Sequence, residues 1–137
     1  MNNHNKGIYI LELFANKNFQ ISAKKFIGVT FPKGYYYYIG SAQKNLKSRI
    51  DRHLRKEKII HWHIDHLTTH NSIKVINSFI IPEAEKTLEA EIANNFEKYF
   101  NAKIIVEGFG NSDAKETKTH LFYKSESIPF SKFDIFS

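Results

Sequence analysis

Two segments of the chain carry large apolar residues at four-residue spacing. They are Leu46, Ile50 and Leu54 in the first, and Leu88, Ile92, Phe96 and Phe100 in the second. This spacing is typical of amphipathic helices. We predict a helix over residues 44–57, with its three apolar residues facing the core, and a long helix on the second segment that docks on a sheet. A shorter helix is predicted over residues 62–70.

Other segments alternate or are rich in β-branched and aromatic residues, which favours strands. Strands are predicted at residues 7–14, 35–39 and 73–81, with short strands or a hairpin extension at 19–22 and 26–29, and edge strands at 102–106 and 121–123. Alternation places Tyr36 and Tyr38 on one face of the sheet, and Tyr35 and Tyr37 on the other. The fold class expected is therefore a mixed α/β (α+β) domain, with a small, mainly antiparallel sheet flanked by helices.

Composition supports one folded domain over residues 1–137. Twelve Phe and seven Tyr supply a bulky core, and the absence of cysteine excludes disulfides, thiolate zinc sites and a cysteine nucleophile. No apolar run approaches the roughly 20 residues that a membrane span needs, so we expect no membrane association and a cytoplasmic location. The tail, residues 124–137, holds Ile128, Phe130 and Phe133 and is too apolar to be free. We expect it to pack on the body or on a partner.

The net charge of +6 is concentrated in one place. Residues 44–58 carry seven cations against Asp51 and Glu57, a local formal charge of +5. One interpretation is that these cations form only a solvated helix face. We favour a surface that binds nucleic acid, because the charge directly follows a tyrosine-rich string. The candidate nucleic-acid-binding residues are Lys44, Lys47, Arg52, Arg55, Lys56, Lys58, His61 and His63.

Two tyrosine strings stand near that basic segment: Gly7-Ile8-Tyr9, and Tyr38-Ile39-Gly40. Arg49 and His53 follow one helical turn apart, and Glu89 lies on the later predicted helix. With these residues the chain resembles the GIY-YIG nuclease superfamily. It looks most like a little-characterised branch of small domains, some of them fused to endonuclease III. That closer resemblance is carried by GYYYYIGSA at 34–42, HWHID at 61–65, GFGNSD at 108–113 and HLFY at 120–123.

The resemblance implies a metal-dependent nuclease that hydrolyses phosphodiester bonds in nucleic acid, with DNA favoured and RNA left open. In that family tyrosines line the site and help to activate water, an arginine binds phosphate, and a glutamate holds Mg²⁺ or Mn²⁺. These catalytic roles fall on Tyr9, Tyr38, Arg49 and Glu89, with Glu89 also the metal ligand. His53 is an added candidate for proton transfer. A tyrosine with its ordinary pKa near 10 is a poor base, so it must act through a neighbouring cation, through the metal, or as an orienter of water.

The sequence also departs from the branch. Ala114, Lys115 and Glu116 stand where the related proteins have two cysteines, so no role of those cysteines carries over, while Asp113 and His120 stay candidate site residues. The tyrosine strings are further apart than in many GIY-YIG nucleases, and residues 16–32 should extend the hairpin between them.

Two alternatives remain open. The first is a nucleic-acid-binding module on the same scaffold without turnover. The second is a histidine-based zinc protein, since His66 and His70 are one turn apart, with His61 and His63 nearby. For the HWHID string we favour substrate contact or active-site support by His61, His63 and Asp65. Its Trp62 is expected in the core, or as a platform for a splayed base.

Overall fold

The computed structural model describes residues 5–110 and 117–136. In chain order the regular elements are strand β1 (Gly7–Ala15), a 3₁₀ helix (Lys24–Phe26), β2 (Gly34–Ala42), helix α1 (Leu46–Leu54), α2 (Asp65–Thr68), β3 (Ile73–Pro82), α3 (Lys86–Phe100), β4 (Leu121–Lys124) and a C-terminal 3₁₀ helix (Phe130–Phe136).

The four strands form one antiparallel sheet in the order β3-β1-β2-β4. The two tyrosine strings pair directly in its centre, with Tyr9 opposite Gly40 and Gly7 opposite Ala42. The residues between them return the chain through the 3₁₀ helix and an isolated bridge between Phe19 and Phe31. The sheet and its flanking helices confirm the predicted fold class.

The sheet separates two apolar clusters, as its alternation predicts. Tyr36 and Tyr38 lie on the face that packs against α1 and α2, together with Tyr9. Tyr37 lies on the opposite face with Ile92 and the other core residues of α3. Because each face is covered by helices, residues on β1 and β2 are almost all buried.

The structure confirms the helix predicted at α1, but the predicted set of buried residues is wrong. Leu46 and Ile50 are buried, but Leu54 is 54% exposed and His53 is buried in its place. An α-helix turns about 100° per residue, so position 53 returns to within about 20° of position 46, whereas position 54 lies about 80° away. A strict four-residue spacing therefore drifts off the core face by the third member.

Three other predicted elements need correction. Residues 26–29 form no strand. Phe26 is the last residue of the 3₁₀ helix and is buried, and Gly28 has a φ of 88°, a left-handed conformation that is incompatible with a strand. Residues 102–106 contribute only an isolated bridge between Lys103 and Tyr123. The helix predicted over 62–70 is confined to α2. The edge strand at 121–123 is confirmed as β4.

The C-terminal segment packs against the face of the sheet that α3 covers. Ile128 and Phe133 are buried there, and the Phe133 ring lies 5.3 Å from the Phe100 ring and 6.1 Å from the Phe96 ring, centroid to centroid. Elsewhere, none of the helices in the described ranges combines the length and the apolar character needed to cross a bilayer.

Replacing Phe133 with Ala should lower the free energy of unfolding by about 3 to 5 kcal/mol, since a fully buried ring is removed and leaves a cavity. Urea unfolding followed by circular dichroism measures this. Ile135→Ala is the matched control, because Ile135 belongs to the same 3₁₀ helix but is 62% exposed, and it should change stability by less than about 0.5 kcal/mol. Equal effects of the two substitutions would contradict the packing described.

Candidate active site

Tyr9 is positioned by the glycine opposite it in the sheet. A side chain at Gly40 would overlap the phenol ring of Tyr9, so the ring lies across the backbone of β2 at that position. This brings the Tyr9 hydroxyl 2.8 Å from Nε2 of His53, which α1 supplies. The close approach explains why glycine ends the second tyrosine string.

Tyr38 lies beside this pair on the same face of the sheet. Its ring centroid is 6.2 Å from the His53 ring and 6.3 Å from the Phe109 ring, both at steep angles. A side chain at Gly110 would come 2.8 Å from Cε1 of Tyr38. The turn through Gly108 and Gly110, both with positive φ, therefore closes over Tyr38.

Burial keeps these three groups uncharged near neutral pH. It raises the pKa of Tyr9 to about 12, with Arg49 opposing the rise, and it raises the pKa of Tyr38 well above 10.0. Burial, followed by the charge of Lys58, lowers the pKa of His53 to about 4. Within the described residues, Nδ1 of His53 is buried without a hydrogen-bond partner.

Arg49 reaches the same end of β2 from α1. Its Nη1 donates to the Ser41 carbonyl oxygen at 3.2 Å, and its guanidinium lies 4.7 Å from the centre of the Trp62 ring. The side chain is partly exposed, and stacking on an aromatic face fixes the plane of the guanidinium.

Glu89 arrives at Ser41 from the other side of the sheet. Its Oε1 accepts a hydrogen bond from the Ser41 hydroxyl at 3.0 Å, and its Oε2 lies 3.1 Å from Nδ1 of His120. That nitrogen is also 3.1 Å from the Ile39 carbonyl oxygen. Because both neighbours are acceptors, Nδ1 of His120 must carry a proton. The carboxylate is thus held at both oxygens and stays 12% exposed.

Of the five predicted catalytic residues, Tyr9, Tyr38, Arg49 and His53 lie on the face of the sheet that α1 covers, and Glu89 approaches the carboxyl-terminal end of β2 from the opposite face. Arg49 and Glu89 both bond to Ser41, and the Tyr9–His53 pair lies across the adjacent Gly40. Sequence reasoning missed Ser41 as the shared contact. Its only signal is its place directly after the second tyrosine string.

Asp65 organises the support behind Arg49. This fully buried carboxylate accepts two hydrogen bonds from Arg52, at 2.9 and 3.0 Å, and two from the backbone N–H groups of His61 and Trp62. Arg52 in turn lies 4.6 Å from the centre of the Trp62 ring. These bonds, with burial opposing them, lower the pKa of Asp65. Asp65 therefore has a structural role, because it ties α1 through Arg52 to the backbone of His61 and Trp62.

The six cations predicted to bind nucleic acid fall into two groups. Arg52 and Lys58 turn inward toward Asp65, and the Lys58 side chain is only 5% exposed because its Nζ donates to the carbonyl oxygens of Arg52 and His53. Lys56 donates to the carbonyl oxygens of His70 and Ile73. Within the part of the chain that the structure describes, the exposed cations without such backbone bonds are Lys44, Lys47 and Arg55, of which Lys47 pairs with Asp51.

The predicted histidine cluster is dispersed. Nδ1 of His63 accepts from the backbone N–H of Gly110 at 2.9 Å, and Nδ1 of His70 accepts from that of Ser72 at 3.0 Å. His61 is exposed, with its ring against Trp62. Over residues 5–110 and 117–136, no three His, Cys, Asp or Glu side chains form a group that could hold a metal ion. The candidate Asp113 lies outside the described residues.

Gly40→Ala should displace the Tyr9 ring and break its hydrogen bond to His53, because the added methyl group has no space beside the buried phenol. We expect the free energy of unfolding to fall by about 1 to 3 kcal/mol. Urea unfolding measures the loss, and the imidazole NMR signals of His53 report the change in its contact. Gln43→Ala, at an exposed position just beyond β2, is the control and should change neither. An unchanged His53 signal in Gly40→Ala would contradict the contact.

His53 should make stability depend on pH between 6.5 and about 4. In that window the unfolded imidazole binds a proton while the folded one does not, so stability present above pH 6.5 is lost as the pH falls. For His53→Gln the loss between pH 7 and 4.5 should be smaller by up to about 3 kcal/mol. Urea unfolding at both pH values tests this, and identical losses in the two proteins would contradict it.

Comparison with known proteins gives one match. The family model described as "Domain of unknown function DUF123" covers residues 8–134. No curated protein and no solved structure matches the chain. Because the family model spans nearly the whole sequence, the chain belongs to the DUF123 family.

Proposed function

We propose that this protein is a nuclease that hydrolyses phosphodiester bonds in nucleic acid, with DNA as the favoured substrate and Mg²⁺ or Mn²⁺ as the favoured ion. The observation that carries the proposal is the shared contact at Ser41, which brings the guanidinium of Arg49 and the carboxylate of Glu89 to one residue. A proton-transfer pair, Tyr9 and His53, lies next to it. Hydrolysis needs these three chemical functions together.

Arg49 is suited to bind the phosphate. A guanidinium offers five N–H donors in a planar fork, and one of them donates to the Ser41 carbonyl. The Trp62 ring supports the plane of the fork, so little orientational freedom is lost when an anion binds. The partial exposure of the side chain leaves access from solvent.

Tyr9 and His53 can move a proton as a relay. The Tyr9 oxygen accepts a proton from the attacking water while its own proton passes to Nε2 of His53, across the 2.8 Å contact. In the free protein the low pKa of His53 opposes this step, partly through the charges of Lys58 and Arg49. A bound phosphate places a negative charge among these cations, so it raises the tendency of His53 to accept the proton.

Glu89 is the residue that would hold the divalent ion. A carboxylate has about four acceptor positions, and Ser41 and His120 occupy one on each oxygen, which leaves one on each for a cation. The described residues offer no three-residue metal group, and Mg²⁺ bound through one carboxylate with water and substrate oxygens needs none. When bound, such an ion supplies positive charge to the phosphoryl oxygens.

One observation favours the binding module as the second candidate. With a pKa of about 12, Tyr9 is a weak acid, and with a pKa of about 4, His53 is a weak base. Neither group therefore ionises readily in the free protein. A scaffold of this kind could bind a phosphate at Arg49 without turnover. For either function we propose a cytoplasmic location, with which the absence of cysteine is compatible.

Purified protein should cleave nicked, branched or single-stranded DNA when Mg²⁺ or Mn²⁺ is added, and not in EDTA. Glu89→Gln and Arg49→Lys should each lower the rate by about 10²-fold or more, because each removes a preorganised electrostatic contact. Gel analysis of end-labelled DNA, with RNA in a parallel set, measures this.

The matched control is Glu91→Gln, on an exposed position of the same helix as Glu89, which should keep the full rate. Circular dichroism checks that each variant is folded. Tight binding of DNA without cleavage under all of these conditions would replace the nuclease with the binding module. Cleavage that survives Glu89→Gln would contradict the site itself.

A further inference from the structure

The loop between α1 and α2 presents two neighbouring isoleucines to solvent. Ile59 is 89% exposed and Ile60 is 44% exposed. Single exposed apolar residues are common on protein surfaces. Here the adjacent lysine takes the buried position instead, because Lys58 donates to the carbonyl oxygens at the end of α1. Proteins usually bury isoleucine and expose lysine, and this part of the loop does the reverse. We call Ile59 and Ile60 the tip of the loop.

The backbone of the tip is tied on both sides. Nη2 of Arg52 donates to the Ile59 carbonyl oxygen at 3.0 Å, and the His61 backbone N–H donates to Asp65 at 2.8 Å. Asp65 and Arg52 also bond to each other. The isoleucines therefore stand on a braced loop, and little conformational entropy is lost when the tip meets a partner.

The tip lies next to the candidate active site. The Arg52 guanidinium that holds Ile59 packs 4.6 Å from the centre of the Trp62 ring, and Arg49 packs 4.7 Å from the same ring. One aromatic side chain thus links the arginine of the tip to the arginine of the site. A polymer bound at Arg49 extends over this neighbourhood.

We propose that Ile59 and Ile60 form a wedge that enters nucleic acid at a step where the bases are already unstacked. The basic segment of residues 44–58 attracts a polyanion, and apolar side chains inserted between base steps are a known way for proteins to kink a duplex. Unstacking an intact step costs free energy, so the wedge selects DNA with a gap, nick or bulge. The inference rests on the proposed function, since it places DNA at Arg49.

A lipid surface fits the tip less well. Proteins that lie on membranes through apolar residues use a long amphipathic helix with a broad apolar face. This tip is only two side chains wide and lies in a loop, so it offers no such face.

The test uses the full chain in EDTA, so that no cleavage is needed. The probe is a DNA duplex with a one-nucleotide gap flanked by 2-aminopurine, compared with the same duplex intact. The wild-type protein should bind the gapped duplex about tenfold more tightly and raise the 2-aminopurine fluorescence. Ile59→Ser should remove that preference and that signal, with binding to intact duplex unchanged. Ile59→Phe should keep both, because a larger apolar group still fills the step.

Ile135→Ser, at an exposed isoleucine on the C-terminal 3₁₀ helix, is the matched control and should behave as the wild type. Equal affinity for gapped and intact DNA, with cleavage activity present, would overturn the wedge and leave the nuclease standing. No binding to any DNA would overturn the wedge, and the absence of cleavage with Mg²⁺ or Mn²⁺ as well would overturn the nuclease. Binding to phosphatidylserine vesicles, or dimerisation in sedimentation runs, that Ile59→Ser abolishes would assign the tip to a lipid or a protein partner and overturn the wedge.

Discussion

The antiparallel pairing of β1 with β2, with Gly40 opposite Tyr9, is the constraint on which the candidate site depends. The missing side chain at Gly40 lets the Tyr9 phenol cross the neighbouring strand and reach His53 on α1. A shift of one residue in the register would turn Tyr9 to the other face of the sheet, because side chains alternate along a strand. The register of one strand pair therefore decides whether the hydrogen bond between Tyr9 and His53 forms.

A second set of interactions fixes the cation side of the site. Asp65 binds Arg52 and the start of the HWHID string, and this places the Trp62 ring under Arg49. Removing one partner of such a buried pair leaves an uncompensated charge, which is costly. We interpret HWHID as a brace between α1 and the turn at Gly108 and Gly110, to which His63 contributes its own contact. The interpretation accounts for most of the string without assigning it direct contact with substrate.

The sequence predicts the four strands of the sheet and the two longer helices. Strand alternation separates Tyr37 from Tyr38 correctly, since a period of two depends only on local backbone geometry. It does not predict that Glu89 reaches Ser41 from the opposite face, which depends on how α3 docks. Nor does it distinguish Lys58 from Lys44: the two are equal as charges along the chain, but Lys58 turns inward to the carbonyl oxygens of Arg52 and His53 and to Asp65. Phe26 likewise leaves the predicted strand because its ring packs on Phe109 and His63.

The contact between Glu89 and His120 joins α3 to the residue just before β4, late in the chain. Tyr9, Tyr38 and Arg49 are all present once the first third or so has been made, but His120 immediately precedes β4, and β4 pairs with β2. During synthesis, a fragment that stops short of β4 contains Arg49 and Glu89 but lacks His120, which contacts one oxygen of the Glu89 carboxylate. The order of the elements thus delays completion of this arrangement until nearly the whole domain has been made.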